Sequence, residues 1–255
     1  MVHSQIQFPE QMNIAPNAIT TSEDFEFQAL GEAKNYRAAL LSEFGPYLQG
    51  AVIEVGAGIG QMTAELLGIA QIKKLCSIEP DGGFCSRIRA ESPDHDLVLG
   101  TIADLKKQDG WNAILSVNVL EHIEADETEL ASYFRLLEPT GGSLCLFVPA
   151  RPEIYAAIDR DFGHFRRYTR RVLRSKLEAA GFTIKRLRYY NFVGYFAWWV
   201  NFCFLKKRVF EKQAVRFFDR AVFPPVYWTE TRLFAPPIGQ SLLAIAEARK
   251  TLGAG

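Results

Sequence analysis

The sequence predicts an α/β fold, a doubly wound and mostly parallel sheet of seven strands with an aromatic-rich helical insertion between the last two strands. The first observation is that short apolar runs alternate with segments of helical periodicity between residues 29 and 190. The second is a glycine-rich turn directly after the first apolar run. The third is an aromatic segment that separates the last two predicted strands. We expect one domain over 29–255 with an insertion over 191–239, preceded by an extension over 1–28.

The individual elements follow from apolar periodicity and from the residues that interrupt it. A helix over 29–48 opens the domain, because its apolar residues lie three or four positions apart and Gly50 follows. Strands are predicted where short apolar runs end at glycine, proline or polar residues: 51–55, 72–78, 96–99, 111–117 and 143–148. The connecting helices are predicted over 61–67, 83–90 and 126–137. A helix over 168–180 stops at Gly181, and two strands follow over 182–190 and 241–248.

Composition and charge exclude several classes of protein. Lys and Arg together number 29, as do Asp and Glu, so no overall positive field attracts nucleic acid and no such partner is expected. The four cysteines lie far apart, which fits a reducing, cytoplasmic location. No signal peptide is recognisable at the start of the sequence. The longest apolar stretch, 192–205, has about 14 residues, fewer than the roughly 20 that a membrane-spanning helix needs.

The glycine-rich turn predicts a nucleotide-like ligand. Gly56, Gly58 and Gly60 remove side chains that would keep the backbone away from a ligand. A dinucleotide motif would read GxGxxG, but here the second interval is shorter and Gln61 stands where the third glycine would be. Glu54 precedes the turn, where a carboxylate would repel a pyrophosphate but accept a hydrogen bond from a cationic amino-acid group. These features argue against an NAD-dependent enzyme, which stays an alternative.

Further candidate residues stand at the ends of the following strands. Ligands of such sheets bind beyond the carboxyl ends of the strands. Glu79 ends the second strand, where a carboxylate can accept both ribose hydroxyls; Thr101 and Ile102 follow the third strand, and the sequence 118–122 follows the fourth. An acidic residue at any one strand end could equally cap a helix. Together with the glycine turn, these residues predict a single cleft.

Four segments of the chain resemble class I S-adenosylmethionine-dependent methyltransferases, which are Rossmann-like. The resemblance covers roughly residues 30–190 and is strongest to a broad bacterial group that acts on small molecules and glycans. It implies S-adenosylmethionine as cofactor and methyl transfer as the reaction. The matching segments are VIEVGAGIGQMT (52–63), SIEPD (77–81), SVNVLEHIEAD (116–126) and LLEPTGGSLCLFVP (136–149).

The resemblance also implies which residues contact the cofactor. An acid often follows the position of Gly100 in this family, but here Thr101 stands there and Asp104 comes three residues later, so the adenine contact is left open. The implied cofactor residues are Tyr36, Glu54, Gly56, Ala57, Gly58, Gly60, Gln61, Glu79, Pro80, Thr101, Ile102, Asn118, Val119 and Leu120.

Two histidines are candidates for the catalytic base. Methyl transfer from a sulfonium is an in-line displacement, so the enzyme aligns the nucleophile and often removes its proton. His122 follows the fourth strand and His164 lies after the fifth, so both are expected on the cofactor side of the sheet. Either histidine could instead cap a helix or pack structurally.

A metal-assisted reaction is an alternative, although our first expectation is that no metal is bound. Glu121, His122 and His164 match in part the ExxEH run and later histidine of small-RNA 2′-O-methyltransferases, but Asn118 replaces the first glutamate. The nearby sequence 166–168, Arg-Arg-Tyr, could hold an anionic group of a substrate or could simply begin a solvated helix.

The insertion leaves the acceptor and the oligomeric state open. Its aromatic residues are consistent with a lid over a bulky apolar acceptor, with peripheral membrane contact through 192–222, or with the face of a homodimer rather than a monomer. Similarity to bacterial glycan-cluster methyltransferases continues over 235–250. Glycan or lipid-linked acceptors are therefore among the candidate substrates. The preferred hypothesis is methylation of oxygen or nitrogen on a small or lipid-linked metabolite. A non-catalytic module that binds a partner through the insertion is the alternative from another class.

Overall fold

A computed structural model describes residues 31–105 and 110–249. Its sheet contains seven strands: β1 (Gly50–Val55), β2 (Ile72–Glu79), β3 (Asp96–Leu99), β4 (Ala113–Val117), β5 (Ser143–Pro149), β6 (Phe182–Tyr190) and β7 (Ser241–Ala248). They are arranged in the order β3-β2-β1-β4-β5-β7-β6. All neighbouring pairs are parallel except those of β7, which runs antiparallel to β5 and β6. The predicted doubly wound, mostly parallel sheet is confirmed.

Helices accompany the strands as the periodicity predicts. The helices are α1 (Lys34–Phe44), α2 (Gln61–Leu67), α3 (Gly82–Glu91), α4 (Asp126–Leu137), α5 (Ala157–Asp161), α6 (Arg170–Ala179), α7 (Phe192–Trp198), α8 (Lys212–Phe217) and α9 (Phe223–Arg232). Side chains alternate between the two faces of a strand, so neighbours in β1 enter different cores. Ile53 packs with residues of α4 and α6, whereas Val52 packs with residues of α1 and with Phe223. Helices therefore cover both faces of the sheet.

Two helix boundaries differ from the prediction for identifiable reasons. Within the first predicted helix, 29–48, the described residues form an α-helix over Lys34–Phe44, and a 3-10 turn that contains Pro46 follows it. Proline lacks the N–H that an α-helix would use and restricts the residue before it. The helix predicted from Tyr168 begins at Arg170, because the Thr169 side chain caps it by accepting from the Val172 N–H. Residues 1–30, which include the predicted extension, lie outside the described residues.

The insertion between β6 and β7 is helical, as predicted. Helices α7 and α8 continue as π-helical turns over Trp199–Phe204 and Phe218–Val222. Two buried carboxylates hold the insertion in place, Asp219 by bonds to the rest of the domain and Glu230 by a bond within the insertion. Asp219 accepts from the backbone N–H groups of Asn35 and Tyr36 at 3.0 and 2.9 Å, and Glu230 accepts from the Asn191 N–H at 2.9 Å. The insertion is thereby attached to the first turn of α1.

Candidate active site

The glycine turn after β1 has a backbone that only glycine accommodates easily. Gly56, Gly58 and Gly60 have φ angles of 73, 55 and 83°, in the left-handed region. A Cβ atom at Gly56 would lie 2.4 Å from Cγ2 of Val119, well inside van der Waals contact. The turn is also anchored, because the Gly58 N–H donates to Oε2 of Glu79 at 2.7 Å. The backbone is therefore held bare at the carboxyl end of β1.

A cleft of about 100 Å³, the cofactor cleft, lies over this turn. It is lined by residues from the glycine turn, α1, α2 and the ends of β1 and β4. This is the edge of the sheet where such folds bind their ligands. The implied cofactor residues that line it are Tyr36, Glu54, Gly56, Ala57, Gln61 and Asn118.

Glu54 places a carboxylate in the buried wall of the cofactor cleft. One of its oxygens, Oε2, accepts from the hydroxyls of Thr63 at 2.6 Å and Ser77 at 2.5 Å. Burial raises the pKa of Glu54 despite these two hydrogen bonds, and the nearby charge of Glu79 raises it further. A cationic amino group bound in the cleft would offset this cost, so the site fits the ammonium group of S-adenosylmethionine.

The remaining implied cofactor residues do not line the cofactor cleft. Glu79 is buried, and its oxygens accept from the backbone N–H groups of Gly58 and Asp81, at 2.7 and 2.9 Å. Each carboxylate oxygen can accept more than one hydrogen bond, so the ribose contact stays a prediction beside this anchoring role. The other residues outside the cleft are Gly58, Gly60, Pro80, Thr101, Ile102, Val119 and Leu120.

Asp104 folds back toward the position where the family often has an acid. Its Oδ2 accepts from the Thr101 N–H at 2.8 Å and from the Thr101 hydroxyl at 3.0 Å. A Cβ atom at Gly100 would lie 2.5 Å from this same oxygen. The carboxylate therefore reaches the end of β3 although it is displaced by three positions in the sequence.

A larger cavity of about 390 Å³, the acceptor cavity, adjoins the cofactor cleft. Ala33, Tyr36 and Asn118 line both spaces, so the two meet at the end of β4. Asn118 has a φ of 53°, an uncommon conformation that asparagine tolerates better than most residues. The walls of the acceptor cavity are mostly apolar, with aromatic residues that include Phe147, Phe162, Trp198, Phe202, Phe210 and Phe218.

His164 lines the acceptor cavity and is oriented by Asp159. Its Nδ1 lies 3.1 Å from Oδ1 of Asp159, which also accepts from Nε of Arg167 at 2.8 Å. Burial alone would raise the pKa of Asp159, but the hydrogen bond from His164 and the charge of Arg167 outweigh it and lower the pKa. Because a carboxylate only accepts, Nδ1 carries the proton. Nε2 is then a buried acceptor, and within the described residues it has no hydrogen-bond partner.

His122 is close to His164 but does not line the acceptor cavity. Their rings meet edge to face, with centroids 4.6 Å apart. Desolvation and the adjacent His164 lower the pKa of His122 to about 4, so it is neutral at pH 7. Each of Glu121, His122 and His164 offers one potential ligand atom, and these atoms lie within 4.8 Å of one another. The structure thus brings together the three residues of the metal alternative.

The arginines after His164 are engaged within the protein. Arg166 Nη1 lies 2.8 Å from Oδ2 of Asp126, which also accepts from the Tyr168 hydroxyl at 2.8 Å. Arg167 does line the acceptor cavity, but its guanidinium pairs with Asp159 and lies 4.3 Å from the ring centroid of Trp198. Neither arginine is positioned chiefly as an anion receptor.

Two aspartates of the site were not identified from the sequence. Asp159, five residues before His164, is fully buried, and Asp219 lies in a helix that is otherwise basic and aromatic. The available signal for Asp159 was an acidic residue close before a histidine, and for Asp219 a lone acidic residue in an aromatic helix. Both signals are weak.

Comparison with known proteins agrees with this geometry. A family model described as a methyltransferase domain matches residues 30–187, more than half of the chain. A search of curated proteins finds no match. Similar solved structures include a suggested methyltransferase of Bacillus halodurans C-125, with a TM-score of 0.56, 20% identity, and coverage of 84% of this chain and 99% of that one.

Two further structures share the fold. An S-adenosylmethionine-dependent methyltransferase from Mesorhizobium loti has a TM-score of 0.54 and 16% identity, covering 82% of this chain and 96% of that one. One from Archaeoglobus fulgidus has a TM-score of 0.54 and 14% identity, covering 88% and 97%. Because the family and its cofactor are those of methyltransferases, the alternative of an NAD-dependent enzyme is set aside. The chain belongs to the methyltransferase domain family and is a class I S-adenosylmethionine-dependent methyltransferase.

Proposed function

We propose that the enzyme methylates a hydroxyl or amine of a bulky, largely apolar small molecule, with His164 as the general base. The observation that carries this proposal is the Asp159–His164 pair in the wall of an apolar cavity that adjoins the cofactor cleft. A cavity of about 390 Å³ is in the size range of small-molecule sites.

The chain's own residues divide the work of the reaction. When bound, S-adenosylmethionine would supply an electrophilic methyl group, with a neutral thioether as the leaving group. The acceptor's lone pair would form the new bond to the methyl carbon as the carbon–sulfur bond breaks, and Nε2 of His164 would take the acceptor's proton. Asp159 holds the ring in the tautomer that can take this proton and stabilises the resulting imidazolium. Tyr36 and Asn118 form the junction across which the methyl group passes.

The test of the proposed base is the variant His164→Ala. We expect His164→Ala to lower turnover about 10²–10⁴-fold, the usual contribution of a general base. The affinity for S-adenosylmethionine, measured by calorimetry, should stay close to that of the wild type. Turnover is measured as transfer of a labelled methyl group to a panel of apolar amines, phenols and alcohols. Full activity of His164→Ala on an accepted compound would remove His164 as the base, and restoration by added imidazole would support it.

A second candidate mechanism is metal-assisted transfer to a hydroxyl. It rests on the proximity of Glu121, His122 and His164, since a carboxylate and two imidazoles suit Mn²⁺, Co²⁺ or Zn²⁺. His122→Ala separates the mechanisms, because His122 lies outside the acceptor cavity. Under the base mechanism, this variant and enzyme treated with EDTA both keep their activity. Loss of activity in both, with recovery of the EDTA-treated enzyme on adding Mn²⁺ or Co²⁺, would establish the metal instead.

A further inference from the structure

The insertion carries an aromatic stripe on its outer surface. Phe196, Trp199, Val200 and Phe204 have exposed fractions of 45, 45, 41 and 69%. Their spacing along α7 and its π-helical continuation places them along one side of the helix. The rings of Trp199 and Phe204 stack with centroids 6.0 Å apart. Large apolar side chains are therefore grouped in contact with solvent.

The apolar surface continues beyond this stripe. Phe192 contacts Phe196 at a centroid distance of 5.1 Å and Phe234 at 6.2 Å. Phe234 and its neighbour Leu233, which follow α9, are 48 and 67% exposed. The surface thus runs from the end of α7 to the end of α9. Contiguous apolar surface of this kind marks an interaction site.

Positive charge is concentrated in the same segment. Residues 192–239 contain seven Lys and Arg but three Asp and Glu, whereas the rest of the chain contains 22 and 26. Two of those three acids, Asp219 and Glu230, are buried and accept from backbone N–H groups. Arg208 and Arg216 pair with acidic residues elsewhere, but exposed Lys206 lies two positions after the last residue of the stripe, and exposed Lys212 begins α8. The apolar surface is therefore bordered by net positive charge.

The acceptor cavity opens beside this surface. Val209 and Phe217 line the cavity and are also 57 and 66% exposed, so they form part of its mouth. Lys207, which follows Lys206, lines the cavity as well and is exposed. An apolar compound held in a lipid layer against the stripe would lie next to this mouth.

We infer that the insertion docks on the surface of an anionic lipid bilayer and that the methyl acceptor enters the cavity from that bilayer. Exposed tryptophan and phenylalanine bordered by lysine suit the bilayer interface, where apolar side chains enter and basic ones meet anionic headgroups. Among the described residues, no helix has the length and hydropathy to cross a membrane, so the contact is peripheral. In a two-fold dimer through this face, the basic borders of the two copies would approach each other, which argues against a second copy as the occupant.

The docking is tested by sedimenting the full chain with vesicles. We expect binding to vesicles of phosphatidylcholine mixed with phosphatidylglycerol, weaker binding at high salt, and little binding to phosphatidylcholine alone. The combined change Trp199→Ser and Phe204→Ser should weaken binding on the order of tenfold or more, since it removes aromatic burial. Lys206→Glu with Lys212→Glu should weaken it on anionic vesicles. Leu67→Ser, on α2 and 49% exposed, is the matched control that should bind normally.

Further measurements separate this inference from the proposed function, on which the entry of the acceptor rests. The four changed side chains lie outside both the cleft and the cavity, so calorimetry should show unchanged affinity for S-adenosylmethionine. A wild-type chain that binds S-adenosylmethionine but sediments with neither kind of vesicle would overturn the docking. So would a concentration-dependent dimer that Trp199→Ser dissociates, because a second copy would then cover the face. Failure of His164→Ala to lower turnover would refute the base while leaving vesicle binding intact.

Discussion

The cofactor cleft and the acceptor cavity meet at Tyr36 and Asn118, yet they are built in different ways. The cleft is centred on backbone at the carboxyl ends of parallel strands, with glycines in left-handed conformations and one buried carboxylate, Glu54, and side chains of α1 and α2 complete its walls. The cavity is formed by side chains from the segment after β5 and from the insertion. The comparison shows that the cofactor side depends on local chain geometry, whereas the acceptor side depends on the packing of distant segments.

The largest effect is expected where the acceptor side depends on a buried charge. Asp159→Asn removes the partner of buried Arg167 and alters the tautomer of His164. Leaving one charge of a buried pair uncompensated costs about 3–5 kcal/mol, which chemical denaturation should show as a lower free energy of unfolding. Asp161→Asn, on the same helix but paired with Arg208 at the surface, should cost less than about 1 kcal/mol. Equal losses in the free energy of unfolding for the two variants would mean that the buried Asp159 pair stabilises the protein no more than the surface pair does.

On the cofactor side, the largest loss is expected from a change that disturbs the backbone of the glycine turn. Gly56→Ala forces a side chain into a left-handed conformation and against Val119. We expect a loss of about 2–5 kcal/mol in cofactor binding or stability, from strain of about 1–2 kcal/mol and overpacking of about 1–3 kcal/mol. Adding Val119→Ala should recover part of the loss, as a double-mutant cycle would measure. Gly82→Ala is the control, because a Cβ there meets nothing within 4 Å.

Replacing Glu54 should weaken cofactor binding, by less than the change at Gly56. Glu54→Gln keeps the shape but removes the charge that we propose for binding the cofactor's ammonium group, so the affinity for S-adenosylmethionine should fall by about 1.5–3 kcal/mol, roughly 10–100-fold. Calorimetry gives the affinity, with exposed Glu91→Gln as the control. An unchanged affinity would show that the ammonium group binds elsewhere.

The same residue predicts the pH dependence of binding. Because burial raises the pKa of Glu54 in the unliganded protein, part of the population is protonated as pH falls. A bound cation favours the carboxylate, so binding releases a proton and the affinity rises with pH until Glu54 is ionised in both states. Glu54→Gln should flatten this slope. A slope that persists in the variant would assign the titration to another group.

The smallest loss of stability is expected at Asp219, which joins the insertion to α1, next to the junction of the cofactor cleft and the acceptor cavity. Asp219→Ala removes the acceptor of the Asn35 and Tyr36 N–H groups, which should cost about 0.5–2 kcal/mol of stability, as for the loss of a helix cap. Because Tyr36 borders both the cleft and the cavity, affinity for the cofactor should fall slightly as well. Exposed Asp94→Ala should change neither quantity in thermal denaturation and calorimetry.

The elements of the sheet could be predicted from local pattern with few errors. The bounds of α2, β3, α4, β6 and β7 agree with prediction, because each is bordered by a glycine, a proline or a polar turn that acts within a few residues. Glu54 and the glycine turn were likewise identified from short spacing, and the structure places Glu54, Gly56 and Ala57 along one cleft. The roles of Glu79, Thr101 and Ile102 stay predictions, since these residues lie outside that cleft.

The sequence by itself thus determined the fold class, the family and the position of the cofactor turn. The fold class and the position of the turn depend on periodicities and spacings that are read over a few residues, and the family depends on the resemblance of four longer segments. Only the tertiary structure decided that Asp159 orients His164, that Asp219 joins the insertion to α1, and that the cavity opens beside an exposed aromatic stripe. Asn35 and Asp219 are 184 positions apart, and no local pattern reports a contact over that distance. Packing of whole elements brings such residues together, and with them the acceptor side of the enzyme.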